Sequence, residues 1–178
     1  AAVLANAAQF PRLLLILWIM NPELCRQLVT PLAGMTVAGA LAGLWAGRSA
    51  AETSGLQRLA LRNPFQLAQA LRFGALFMLI VFASKAAAEA FGVAGLFWTS
   101  ALGGSVDADA VAVSLAGMVA AGSVQLHVAS GAVLLALVAN AAVKTGIALA
   151  GGEPRFARRL AGAFLAMFSV GAGLWWLA

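Results

Sequence analysis

The chain has 178 residues, of which 63% are hydrophobic and only 10% are charged. Soluble domains carry about 25% charged residues, so a water-soluble fold is excluded. The net charge of +5 comes from few residues, mostly in the connections between apolar segments, a pattern that orientation in a membrane explains better than a nucleic-acid partner does. The single cysteine, Cys25, excludes an internal disulfide. We therefore expect an all-α, polytopic transmembrane helical bundle in a lipid bilayer, without a cofactor.

Six hydrophobic elements are predicted along the chain. In order they cover residues 1–20, 28–47, 63–91, 93–121, 126–150 and 155–176. Asn21-Pro22 ends the first element, and the hydrophilic connection 48–62 precedes the third. Asn63-Pro64 is typical of a helix start, because Asn caps a helix and Pro fits its first turn. The whole chain, 1–178, is expected to form one integral membrane domain that begins partway through a larger protein.

The fourth element is interrupted. Its arms, residues 93–102 and 107–121, are separated by Gly103-Gly104-Ser105, and the second arm carries Asp107 and Asp109. A carboxylate inside the bilayer costs several kcal/mol unless it is compensated, so intramembrane aspartates indicate a functional site. Arms of this length, roughly 15–22 Å as helix, suit a re-entrant hairpin that reaches mid-membrane. A discontinuous helix that crosses the membrane is the alternative.

The distribution of charge along the chain helps to choose between the re-entrant hairpin and the crossing helix. The arginine-rich connections 48–62 and 155–159 are both placed in the cytoplasm by the positive-inside rule. If the chain crosses the membrane twice between the two connections, both lie on the same side, whereas three crossings would put them on opposite sides. The rule therefore favours the hairpin, which enters and leaves the membrane on one side. The hairpin would also make the similar stretches 3–8 and 137–142 run in opposite directions, as in the inverted repeats of transporters.

Several intramembrane polar residues are candidates for an ion or substrate site. The main candidates are Asp107, Asp109, Lys144, Asn140, Asn6 and Ser105, with Arg12, Thr145 and Ser114 as supporting residues. Lys144 is the expected counter-charge of the aspartates. Residues two apart point in different directions on a helix, so the two aspartates do not chelate one ion in regular helix.

Structural roles are also open for these residues. Asp107 fits an N-cap with Asp109 in the first helical turn. Lys144 fits a side chain that extends to the interface, and Asn6 and Asn140 fit hydrogen bonds between helices. The bound species, and whether it is a metal, are left open. Enzymatic activity is not expected, because no nucleophile with a base and no phosphate-binding loop is present.

The chain resembles a family of bacterial membrane domains, domain-of-unknown-function 4010. The resemblance rests on Leu4-Ala5-Asn6-Ala7 with Pro11-Arg12, Arg62-Asn63-Pro64-Phe65, residues 104–110 with Ser114-Leu115, and Ala139-Asn140 with Val143-Lys144. It implies a multi-pass protein of the bacterial inner membrane, often C-terminal to an MgtC/SapB-type membrane domain. It also implies a Ser/Thr-rich segment upstream of Ala1 as partner of the aspartate segment.

Two functions follow as hypotheses. The first is a transporter or channel domain for a small cation or proton-coupled solute. The second is a non-transporting module that anchors or regulates a partner protein. A homo-oligomer or an upstream membrane domain of the same protein is the expected protein partner.

Overall fold

The computed structural model describes residues 2–48, 67–150 and 154–177, and every element within these ranges is an α-helix. The helices are α1 (Ala2–Ala7), α2 (Gln9–Met20), α3 (Pro22–Arg48), α4 (Leu67–Val106), α5 (Ala108–Ala120), α6 (Leu126–Ala150) and α7 (Pro154–Leu177). The all-α prediction is confirmed. The predicted helix start at Asn63-Pro64 and most of the connection 48–62 lie outside the described residues.

Four helical segments among the described residues are long and apolar enough to cross a bilayer. They are Val3–Met20, Pro22–Trp45, Leu126–Ala150 and Arg155–Leu177. Large apolar side chains cover the outer surface, with Trp45, Phe82 and Trp98 all more than 70% exposed. A soluble protein does not expose this much apolar surface. The chain is a multi-pass membrane protein.

Consecutive contacts fix the direction of the long helices. Asn21 is extended (φ −155°, ψ 97°) and reverses the chain between α2 and α3. Gly39 of α3 packs against Ala7 of α1 and Met167 of α7. Trp175, near the end of α7, stacks on His127 at the start of α6 with ring centroids 4.9 Å apart. Helices α2 and α7 therefore run in one direction, and α3 and α6 in the other.

Arginines are concentrated at one end of the bundle. Trp45 near the end of α3, Arg159 near the start of α7 and Val3 of α1 line one cavity of about 430 Å³. Helix α3 ends at Arg48 and α7 begins at Pro154, so the described ends of both arginine-rich connections lie at this arginine end, as the charge pattern predicts. We call the opposite end, at the α2–α3 reversal, the Asn21 end.

Helix α4 bends sharply at Gly92, whose φ of +58° is a conformation that glycine adopts readily. Beyond the bend, a Cβ at Gly95 would collide with the carbonyl oxygen of Ala87. In a straight helix these residues would lie about 12 Å apart along the axis. The two arms of α4, residues 67–91 and 93–106, therefore fold back on each other.

The second arm of α4 and α5 form a re-entrant hairpin, residues 93–120. Val93 and Leu96 at the start of this hairpin line one cavity of about 270 Å³ together with Ser123 and Gln125, which follow its end. Asn21 Nδ2 donates to the carbonyl oxygen of Ala116 (3.3 Å), which places the returning arm at the Asn21 end. Each arm is about 20 Å long. Of the two predicted arrangements, the structure has the hairpin.

The predicted break at Gly103-Gly104-Ser105 is wrong in position. These residues are helical, and the chain leaves the helix only at Asp107 (φ −153°, ψ 107°). Glycine weakens a helix but does not always end it, and here Gly104 allows close packing against α6. The aspartate ends the helix instead, because its side chain can satisfy the amides of the next one.

Candidate ion-binding site

Asp107 forms the turn of the hairpin and caps α5. Its Oδ1 accepts hydrogen bonds from the backbone amides of Asp109 (2.9 Å) and Ala110 (3.2 Å). These amides have no partner within the helix, and inside a bilayer no bulk water is present to replace one. The carboxylate also lies at the positive end of the α5 dipole. Asp107 thus has the structural role that its position predicts.

Asp109 points elsewhere and forms an ion pair with Arg12 of α2. The Asp109 side chain is 19% exposed, whereas that of Arg12 is 65% exposed. Arg12 is the tenth residue of the 18-residue span Val3–Met20, so the pair lies near the middle of the membrane. The two aspartates do not converge on one point, because the break at Asp107 directs one to the helix end and the other to α2.

Lys144 lies deep in α6 and is held by two amide side chains. Its Nζ donates to Asn6 Oδ1 (3.0 Å) and to Gln9 Oε1 (2.8 Å). We expected Lys144 to pair directly with an aspartate; instead Arg12 holds the aspartate and neutral oxygens hold the lysine. The ammonium is still close enough to both carboxylates to interact with them electrostatically.

Asn140 connects α6 to the tip of the hairpin. Its Nδ2 donates to the carbonyl oxygen of Gly104 (3.1 Å), which lies in the last turn of the second arm of α4. A Cβ at Gly104 would lie 2.5 Å from the Cα of Ala136, so the two helices touch backbone to backbone here. Oδ1 of Asn140 is buried without a hydrogen-bond partner. Asn140 therefore fixes the depth of the hairpin tip.

The remaining candidates have mostly local contacts. The Ser105 hydroxyl donates to the carbonyl oxygen of Leu102 (2.6 Å), and the Thr145 hydroxyl donates to that of Ala141 (2.8 Å). Membrane serines and threonines commonly bond to their own helix in this way. The hydroxyls of Ser114 and of Ser100, on the other arm, are buried and have no hydrogen-bond partner. These two serines each lie seven residues from Asp107.

Two residues that hold the site or the hairpin were not among the site residues predicted from the sequence. Gln9 is a lysine ligand, and it is three residues from both Asn6 and Arg12, a spacing that puts neighbours on one side of a helix. The sequence did contain a signal for Gln9, because it is a third polar residue in the apolar first span. Asn21 caps α3 through bonds to the amides of Glu23 (3.1 Å) and Leu24 (3.0 Å), in addition to holding the hairpin.

The site is balanced in charge. Arg12 and Lys144 contribute two positive charges, and Asp107 and Asp109 contribute two negative charges. Within the described parts of the chain, no group of three or more His, Cys, Asp or Glu side chains is placed to hold a metal ion. A divalent cation usually takes several carboxylate and carbonyl ligands, so this donor set does not fit one well.

The helices and this mid-depth charged site together define the chain as a multi-pass α-helical membrane protein with a re-entrant hairpin. The chain belongs to the family described as domain of unknown function DUF4010, whose family model matches residues 1–152. An uncharacterised protein of Aquifex aeolicus (strain VF5) is 31% identical over 112 residues, which is 63% of this chain and 48% of that protein. The chain thus spans about half the length of that relative. No solved structure matches the present chain.

Proposed function

We propose that this domain moves a small cation, or a solute coupled to protons, across the bacterial inner membrane, with Asp109 as the central ligand. The observation that carries the proposal is the Asp109–Arg12 pair at the tip of a re-entrant hairpin. Charged residues at this depth are costly, and they usually mark ion pathways or proton relays. Discontinuous helices that meet at the midplane are likewise a common transporter plan.

The antiparallel course of the two asparagine-containing spans supports the same plan. Asn6 lies in the first span and Asn140 in α6, which runs in the opposite direction. Each is followed within six residues by a cation of the site, Arg12 or Lys144. An inverted repeat would produce this arrangement, and in transporters such repeats enclose the substrate site.

The exposure of Arg12 indicates that another protein segment covers this face of the domain. A charged side chain that is 65% exposed at mid-depth cannot face lipid tails without a large energetic cost. We propose that a second copy, or another membrane segment of the same protein, covers this face and leaves an aqueous path to the pair. The exposed side of Arg12 would then line a water-filled cavity between this domain and its partner.

Flux through the whole protein tests the proposal. The natural full-length protein is reconstituted into liposomes that contain the pH dye pyranine or a dye sensitive to Na⁺ or K⁺, and gradients of H⁺, Na⁺ or K⁺ are imposed in turn. Asp109→Asn should abolish the flux, because the amide cannot balance a cation. Glu23→Gln makes the same chemical change at an exposed residue of the first turn of α3, and it should leave the flux intact.

Two outcomes would count against the proposal. Flux equal to that of empty liposomes under every gradient would favour the anchoring or regulatory alternative. Equal flux for the natural protein and Asp109→Asn would remove Asp109 from the mechanism.

A further inference from the structure

We propose that Arg12 is a tethered competitor of the transported species, and that this species carries a single positive charge. The inference rests on the proposed function and specifies its substrate class. In the structure, the guanidinium of Arg12 occupies the position on Asp109 that a bound cation would take. Ion binding and the Arg12–Asp109 pair then exclude each other.

The unequal exposure of the two partners gives Arg12 room to leave. Asp109 is 19% exposed and lies between α2 and the tip of the hairpin, whereas Arg12 is 65% exposed. Four rotatable bonds separate the guanidinium from the backbone of α2. Its displacement requires no movement of a helix, and the carboxylate keeps its place.

The charge balance of the site sets the charge of the ligand. Arg12 from α2, Lys144 from α6, and Asp107 and Asp109 at the hairpin turn are the charged groups that interact here. When Arg12 swings away, one negative charge on Asp109 is left without its direct partner. A proton or an alkali cation restores neutrality, whereas a divalent cation leaves an excess positive charge in a medium of low dielectric.

Lys144 does not take over the role of Arg12, because it is already engaged. Its ammonium is held by Asn6 Oδ1 at 3.0 Å and Gln9 Oε1 at 2.8 Å, two neutral oxygens. If the ammonium left, both amide oxygens would lose its hydrogen bond in the interior of the bundle, which costs free energy. With Arg12 displaced, the fixed charge of Lys144 stands against the two carboxylates, Asp109 and Asp107, so the exchange at Asp109 involves one charge only.

Cation binding to the detergent-purified full-length protein tests the inference without a flux measurement. Melting temperature is followed as NaCl, KCl or MgCl₂ replaces N-methyl-D-glucamine chloride at constant ionic strength. Arg12→Gln removes the competitor. If Arg12 occupies Asp109 about 90% of the time, the apparent affinity should rise about tenfold. Arg155→Gln, at an exposed position of the arginine end, is the control and should bind like the natural protein.

The results distinguish the ligands. Stabilisation of Arg12→Gln by Na⁺ or K⁺, lost when Asp109→Asn is added, identifies an alkali cation. No alkali effect, but one more proton bound at pH 7 by Arg12→Gln than by Arg12→Gln/Asp109→Asn in potentiometric titration, identifies a proton. Identical behaviour of these two variants in both measurements overturns the inference, and so does a larger effect of Mg²⁺ than of either alkali cation.

If Arg12→Gln does not yield folded protein, Arg12→Lys serves. Lysine keeps the charge but lacks the planar fork of arginine, so it should compete less well and the apparent affinity should rise by a smaller factor. An affinity equal to that of the natural protein would contradict the inference. Because binding is measured here and not transport, the inference can fail while flux through Asp109 is still observed.

Discussion

Arg12 and Asp109 are 97 residues apart in the chain and form an ion pair near the middle of the membrane. Each comes from a different kind of element: Arg12 from a membrane-spanning helix and Asp109 from the first turn of α5 in the re-entrant hairpin. The pair therefore ties the hairpin tip to the rest of the bundle. The same contact that stabilises the tip also blocks its carboxylate.

The two residues should be energetically coupled. Removal of either charge leaves the other uncompensated, so the double variant Arg12→Gln/Asp109→Asn should be destabilised by less than the sum of the two single variants. Because Arg12 is exposed, we expect a coupling of about 1–3 kcal/mol, between the values for surface and fully buried pairs. A double-mutant cycle of unfolding in mixed micelles measures it, and additive effects would contradict the pairing.

Asp107 should be a structural residue that can be separated from Asp109. Asp107→Ala removes the cap of α5 and should cost about 1 kcal/mol, with up to about 2 in favourable contexts. Asp107→Asn removes the charge but keeps an acceptor oxygen for the amides of Asp109 and Ala110, so it should retain most of the stability. Melting temperature measures both effects. An Asp107→Asn variant as unstable as Asp107→Ala would contradict the capping role of the oxygen.

Gly104 should be intolerant of a side chain. A Cβ at this position meets the backbone of Ala136, so Gly104→Ala should force the hairpin tip away from α6 and cost about 1–3 kcal/mol. Gly117 lies on α5 with no atom within 4 Å of an added Cβ. Gly117→Ala is the matched control and should be neutral or slightly stabilising, since alanine favours helix. Thermal unfolding compares them, and equal effects would argue against the close contact.

The hairpin predicts which residues share a side of the membrane. Val93 and Ser123 flank the hairpin and are both exposed at the Asn21 end, whereas Arg155 lies at the arginine end. With Cys25 replaced by serine, single cysteines at 93 and 123 should react with a membrane-impermeant thiol reagent from the same side. A cysteine at 155 should react from the other side. Labelling of positions 93 and 123 from opposite sides would show a crossing helix instead.

Local signals in the sequence account for much of the fold. The bounds of α6 were predicted at residues 126–150, as the structure has them, because a long apolar run without charges at its ends has few alternatives in a bilayer. The distribution of arginines also favoured the hairpin before any contact was known. The break, however, was placed at Gly103-Gly104-Ser105 instead of Asp107, since composition alone does not show whether a glycine ends a helix or packs against one.

The sequence by itself determined that the chain spans a membrane and that Asp109, Lys144, Asn6 and Asn140 belong to its apolar segments, because a polar residue within an apolar segment is visible residue by residue. Only the tertiary structure decided the partners. Arg12, not Lys144, holds Asp109, and Gln9 joins Asn6 around the lysine. Such pairings depend on the depth and rotation of helices that are distant in sequence. Packing against neighbouring helices sets both, and the periodicity of a single helix does not record them.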